Sequence, residues 1–181
     1  IDFLRKKYSI PIIDVIQPTI KLSLKIKSNK TICVLGTSTT ISSNTYSENI
    51  KKLSTNMKVY EVACPLFVPI VEEGLENSFI ADQISKMYLN PLKSLSIDSL
   101  ILGCTHYPML YKTIKKIIHK NIIIIDTGVA ISDELKQILP RNNDGQNTNE
   151  YYVSDLPYRF NELASKFLKY EINNVKQISL K

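Results

Sequence analysis

The sequence has no tryptophan, and only three cysteines, two histidines and five glycines among 181 residues. Each scarcity excludes something. Cys33, Cys64 and Cys104 are odd in number and far apart, so no disulfide framework is expected. Cys104 and His106 are the only Cys/His pair at ligand spacing, and one pair cannot hold a structural zinc. The glycines do not fall into a P-loop or dinucleotide fingerprint. No apolar run approaches the roughly 18 residues of a membrane span. The longest, "IIIID" at Ile122–Asp126, reads as a buried strand. No secretory leader opens the chain, and with the odd thiol count a reducing, cytoplasmic setting is expected.

Charge is also sparse in structure. The net charge is +6, carried mainly by scattered lysines. The richness in Ile, Lys and Asn matches A/T-rich codons. Without an arginine cluster or a dense lysine run, nucleic-acid binding is not expected as a primary role. With 44% hydrophobic and 22% charged residues, the chain can bury one sizeable core or two small lobes. The first residue is Ile, and "IDFLRKKYSIP" reads as the end of a helix, with lysines near its finish. The expectation is a chain that begins inside a longer protein.

Apolar runs and helical periods alternate. Strands are expected at Ile10–Ile16, Thr31–Gly36, Lys58–Ala63, Ile97–Gly103 and Asn121–Gly128. Helices are expected after Pro18, through "TSTTISSNTYSENIKKL", "FIADQISKMYLNPLKSL", "MLYKTIKKII" and "VAISDELKQIL". This alternation predicts βαβ units and a parallel sheet covered on both faces, an α/β fold. The polar stretch 140–150 reads as a surface loop. A short strand "YYVSD", a helix "YRFNELASKFLKY" and a frayed tail from Glu171 complete the chain.

In such sheets ligands bind beyond the carboxyl ends of the strands. Three strand ends carry hydrogen-bonding or reactive residues. "GTSTT" after the first buried strand offers hydroxyls and N–H groups at a helix start, suited to a carboxylate or phosphate. The plainer alternative is an N-cap with spare hydroxyls. "ACPLFVPIVEEG" brackets a short apolar run with Pro65 and Pro69, then places Glu72 and Glu73 before a stop at Gly74. Acidic residues at a helix C-terminus oppose its dipole, so a functional reason competes with simple solvation. Cys64, next to Pro65 and without an adjacent His, reads as structural.

"LILGCTHYP" is the sharpest of the three. Gly103 permits a tight exit from the strand, Thr105 suits a cap and Pro108 a first helical turn. A thiol at a helix start is biased toward its thiolate, and His106 can exchange a proton with it. The alternative is an inert buried Cys beside a His satisfying a carbonyl.

Together "ACPLFVPIVEEG", "LILGCTHYPML" and "VLGTSTTISSNTY" resemble motifs of the glutamate racemase family, of the aspartate/glutamate racemase fold. "IPIIDVIQP" and "YYVSDLPYRFNELASKFL" are similar to its flanking segments, so the resemblance covers nearly the whole chain. Related aspartate racemases typically carry an acid where His106 stands, which favours glutamate. The resemblance implies cofactor-independent interconversion of L- and D-glutamate by two opposed thiols, supplying D-glutamate for peptidoglycan. It implies Cys104, His106 and a Glu as catalytic residues, with Glu73 preferred over Glu72. It implies Thr105, His106, Thr37, Thr39 and Thr40 as substrate contacts, no metal, and a homo-oligomer in the full-length protein.

The family's other half-site, with its Asp-Ser pair and second thiol, is not found in these 181 residues. The resemblance therefore implies a complete α/β domain over 18–126. Segments 1–17 and 127–181 then form the remainder of a second α/β domain that lacks its opening strands. From this follow a loosely ordered C-terminal third and no racemisation by the chain alone. Another amino-acid racemase of the same fold is the nearest alternative. A non-catalytic remnant acting as a binding protein is the alternative of a different class.

Overall fold

The computed structural model describes residues 1–26, 30–139 and 149–179. The chain forms two compact units, Ile1–Pro140 and Arg141–Lys181.

The first unit is built on four parallel strands in the order β2-β1-β3-β4: β1 Thr31–Gly36, β2 Lys58–Ala63, β3 Ser99–Leu102 and β4 Ile123–Asp126. The two central strands are buried along their whole length, as their unbroken apolar runs require. Alternation divides their side chains between two layers. Ile32, Val34, Ile101 and Ile125 join Ile20 of α2 (Ile16–Leu24) with Tyr46 and Ile50 of α4 (Thr45–Leu53) in one core cluster. The edge strands β2 and β4 are only partly covered.

Side-chain caps set the helix starts. Thr37 accepts from the Thr40 N–H at the start of α3 (Ser38–Ser42), and Ser78 from the Ala81 N–H at the start of α6 (Phe79–Leu89). Asp126 accepts from the Gly128 N–H and opens α8 (Thr127–Ile138), which packs on α2 and β4. A 3-10 turn, Asn90–Ser94, follows α6; another, Tyr107–Leu110, leads into α7 (Tyr111–Ile117).

Two expectations fail. Ile10–Ile16 is not a strand. Asp14 Oδ1 accepts from the N–H groups of Ile16 (2.9 Å) and Gln17 (2.7 Å), which turns the chain into α2. Arg5, from α1 (Asp2–Lys7), donates to the Ile12 carbonyl, taking a ladder acceptor away, and also to the Asp14 carboxylate. The tail after Glu171 is not frayed. In the second unit β5 (Tyr151–Val153), α9 (Pro157–Leu168) and β6 (Val175–Gln177) form a small parallel βαβ arrangement. Ile172 is buried there, and Tyr151 and Tyr170 join hydroxyls at 3.0 Å. Most of the expected loop 140–150 lies outside the described residues.

Candidate active site at the carboxyl ends of the strands

Backbone ties bring the three strand ends together. The Cys64 N–H donates to Gly36 O and the Gly103 N–H to Leu35 O, each at 2.8 Å. A Cβ on Gly103 would lie 2.8 Å from that same Leu35 oxygen, so only glycine permits this approach. The chain leaves β3 hard against β1, and the next residue is Cys104.

Cys104 is half-buried. Its Sγ lies 3.9 Å from Nδ1 of His106, whose Nε2 lies 3.4 Å from Glu72 Oε1. Carboxylate, imidazole and thiol thus form a row. With Nε2–H turned to the carboxylate, Nδ1 is the acceptor facing the sulfur. Thr105 Oγ1 is 3.4 Å from the same Nδ1, a second donor at the same nitrogen.

Glu72 is delivered by α5 (Phe67–Glu72), a single short helix closed by a Schellman motif. Gly74 takes φ 73°, its N–H donates to Val71 O, and the Leu75 N–H to Ile70 O. Gly74 is therefore the stop that the sequence predicts. The geometry separates the two acids: Glu72, the last helical residue, meets His106, whereas Glu73 occupies the exposed cap position. The resemblance prefers Glu73, and the acid found against His106 is Glu72. Glu72 lies one helical turn after Val68, a half-buried position, and that phase was the available signal.

Tyr107, not among the expected site residues, holds the helix to the thiol loop. Its hydroxyl donates to Cys64 O at 2.9 Å, and its ring stands edge-on to Phe67 at 5.2 Å. Phe67 in turn meets Tyr88 at 5.3 Å. This buried aromatic row links α5, α6 and the turn after Cys104.

The threonines form a separate feature on the neighbouring strand end. Thr37 Oγ1 and Thr40 Oγ1 lie 3.0 Å apart, and Thr37 caps α3, while Thr39 is exposed. The other two thiols have a different character. Burial, then the Glu61 carboxylate, pushes Cys33 up to about 12. Burial, then Cys33, pushes Cys64 up as well. Among the described residues no cluster of three or more His, Cys, Asp or Glu side chains is placed to hold a metal. No helix of the described residues is long and apolar enough to cross a membrane.

The family model described as Asp/Glu/Hydantoin racemase matches residues 1–135. The chain belongs to the Asp/Glu/hydantoin racemase family. It is similar to a glutamate racemase of Sulfurihydrogenibium sp., with 42% identity over 91% of this chain. It spans 63% of that relative's length. Crystal structures give the same picture. Glutamate racemase isoform RacE1 from Bacillus anthracis superposes with a TM-score of 0.89, at 35% identity, over 99% of this chain and 68% of that one. Glutamate racemase from Francisella tularensis, solved in complex with D-glutamate, gives 0.87 at 34% identity over 98% and 68%. The expected racemase fold is therefore the fold found, and these three relatives are glutamate racemases.

Proposed function

We propose that this chain supplies one proton-transfer face of a glutamate racemase. The observation that carries the proposal is the row Glu72–His106–Cys104 at the carboxyl end of β3. The Cα–H of an amino acid is a weak acid, and its removal needs a base held in place and tuned near neutral pH. Glu72 fixes His106 with Nε2–H outward, so Nδ1 takes the Cys104 proton. The thiolate removes the Cα proton; in the reverse direction the thiol returns one. A developing carbanion is stabilised by donors fixed on the substrate carboxylate. Thr105, Thr37, Thr39 and Thr40 are the proposed donors, and His106 also touches substrate. Glu72, rather than the Glu73 that the resemblance prefers, takes the acidic role in this proposal.

The reaction in this reading needs no cofactor and no metal. Two opposed thiols are required, and Cys33 and Cys64 are too buried to act as the second. The 181 residues alone are therefore expected not to interconvert the enantiomers. The domain reading, 18–126 complete with 1–17 and 127–181 belonging to a second domain, is part of the same proposal. So are a homo-oligomer in full-length form, action in the cytoplasm away from membranes and nucleic acid, and D-glutamate made for peptidoglycan.

The test is the rate of Cys104 alkylation with and without ligand. Millimolar D- or L-glutamate is expected to protect Cys104 while aspartate protects little. Equal rates with and without glutamate, together with indifference to His106→Ala, sink the proposal. Chiral analysis of L-glutamate incubated with the chain alone tests the two-thiol requirement, and any D-glutamate formed overturns it.

A further inference from the structure

We propose that the amino-terminal end of the same sheet holds a second site, for a small amphipathic acid of the free medium-chain carboxylate class. A cavity of about 680 Å³ lies there, within the ~300–1,000 Å³ usual for small-molecule sites. Its walls include Leu92, Leu95, Ile97, Leu100, Ile118 and Ile122. They come from the 3-10 turn after α6, the loop entering β3, β3 itself and the loop leaving α7.

The formal charges at this cavity are those of Lys93 and Lys120. Lys93, His119 and Lys120 also line it and are exposed to solvent, and no carboxylate lines it among the described residues. The loop that presents two of them is built rather than loose. Lys115 Nζ donates to the carbonyls of Lys120 and Ile122, both at 3.1 Å, and the Asn121 N–H donates to His119 Nδ1.

Apolar walls with cations at the border select a ligand with an alkyl body and one acidic end. A polyhydroxylated or nucleotide ligand needs polar partners that the six wall residues do not offer. A neutral alkyl alcohol fills the walls but leaves the lysines without a counter-charge. The cavity shares no residue with the Glu72–His106–Cys104 row. It lies at the opposite end of β3, so it stands apart from the racemase reading.

Calorimetric titration of the 181-residue chain with decanoate, 1-decanol and acetate tests the site. Decanoate is expected to bind saturably, with a Kd of roughly 10–500 μM. Lys93→Gln/Lys120→Gln, two surface changes, weakens it about tenfold. Decanol binds more weakly and ignores that change, and acetate does not bind. Ser96→Trp, which fills the cavity from an exposed position, abolishes decanoate binding. Amide shifts in NMR spectra fall within 92–100 and 117–122. Absence of saturable decanoate binding overturns the proposal. So does binding untouched by the lysine changes, or shifts confined to other surfaces. Should the tryptophan variant fail to fold, the lysine variant and the shift map still decide.

Discussion

Two turns of this molecule start alike and end differently. β2 and β3 lie on either side of β1, and both exit toward a cysteine at their carboxyl ends. Cys64 is sealed: its Sγ is 3.7 Å from Val62 O, Pro65 follows, and burial suppresses its ionisation. Cys104 is half open and faces an imidazole backed by a carboxylate. Position at a strand end does not make a thiol reactive. Partners and solvent do.

Labelling with a disulfide reagent breaks or sharpens this contrast most directly. Moving a thiol from 9.0 to about 12, as at Cys33, lowers its thiolate fraction at neutral pH by roughly 1,000-fold. The folded chain is expected to titrate one fast thiol, absent in Cys104→Ser, and three in urea. Fast labelling of Cys64 in the native state ends the comparison.

Gly103→Ala comes next. Its Cβ meets the Leu35 carbonyl at 2.8 Å, and the expected loss is about 2–4 kcal/mol in urea unfolding. Cys64 has no such glycine before it, and Ala63 already stands at the equivalent place.

A smaller effect separates the acids. His106→Ala is expected to slow Cys104 alkylation at pH 7 about tenfold and Glu72→Gln about threefold. Glu73→Gln leaves the rate unchanged. Equal effects of the two glutamate changes remove Glu72 from its assigned place.

The smallest effect is alkaline. A buried thiol with a raised folded value binds its proton when the unfolded chain has already lost it. Its contribution is therefore fully present below pH 9 and is lost as pH rises toward 12. Between pH 9 and 10 stability falls by about 1 kcal/mol for each buried thiol. The slope is expected to lose most of its size over that unit in Cys33→Ala/Cys64→Ala. Tyr46, ordinarily near 10.0 and pushed up to about 12 by burial, and Tyr107, raised likewise, keep a smaller decline that starts within that unit and steepens above pH 10.

Much of this was legible in the sequence, for identifiable reasons. Thr31–Gly36 and Lys58–Ala63 are strands with the bounds expected of them, because turn residues bracket each run. Gly74 ends its helix as predicted, because glycine takes an αL cap without a Cβ penalty. The failures trace to distant or local hydrogen bonds that hydropathy does not encode. Ile10–Ile16 has the composition of a strand, but Asp14 and Arg5 consume its backbone. The tail pairs through Val175–Gln177 although little in "NNVKQ" is apolar, since β5 supplies the ladder. Cys104 and His106 were visible as neighbours. Glu72 is not separable from Glu73 without the helix phase, and nothing in the sequence ties the Tyr107 hydroxyl to the distant Cys64 carbonyl.

Gly103 bears on how mutational data for this chain would be read. A saturation scan scored by function would mark position 103 as intolerant alongside Cys104 and His106. The cause would be neither chemistry nor flexibility but clearance: the thiol loop hangs from β1 by one carbonyl, and the missing side chain is what lets it hang there. A residue with nothing to contribute to proton transfer would thus rank among the most sensitive.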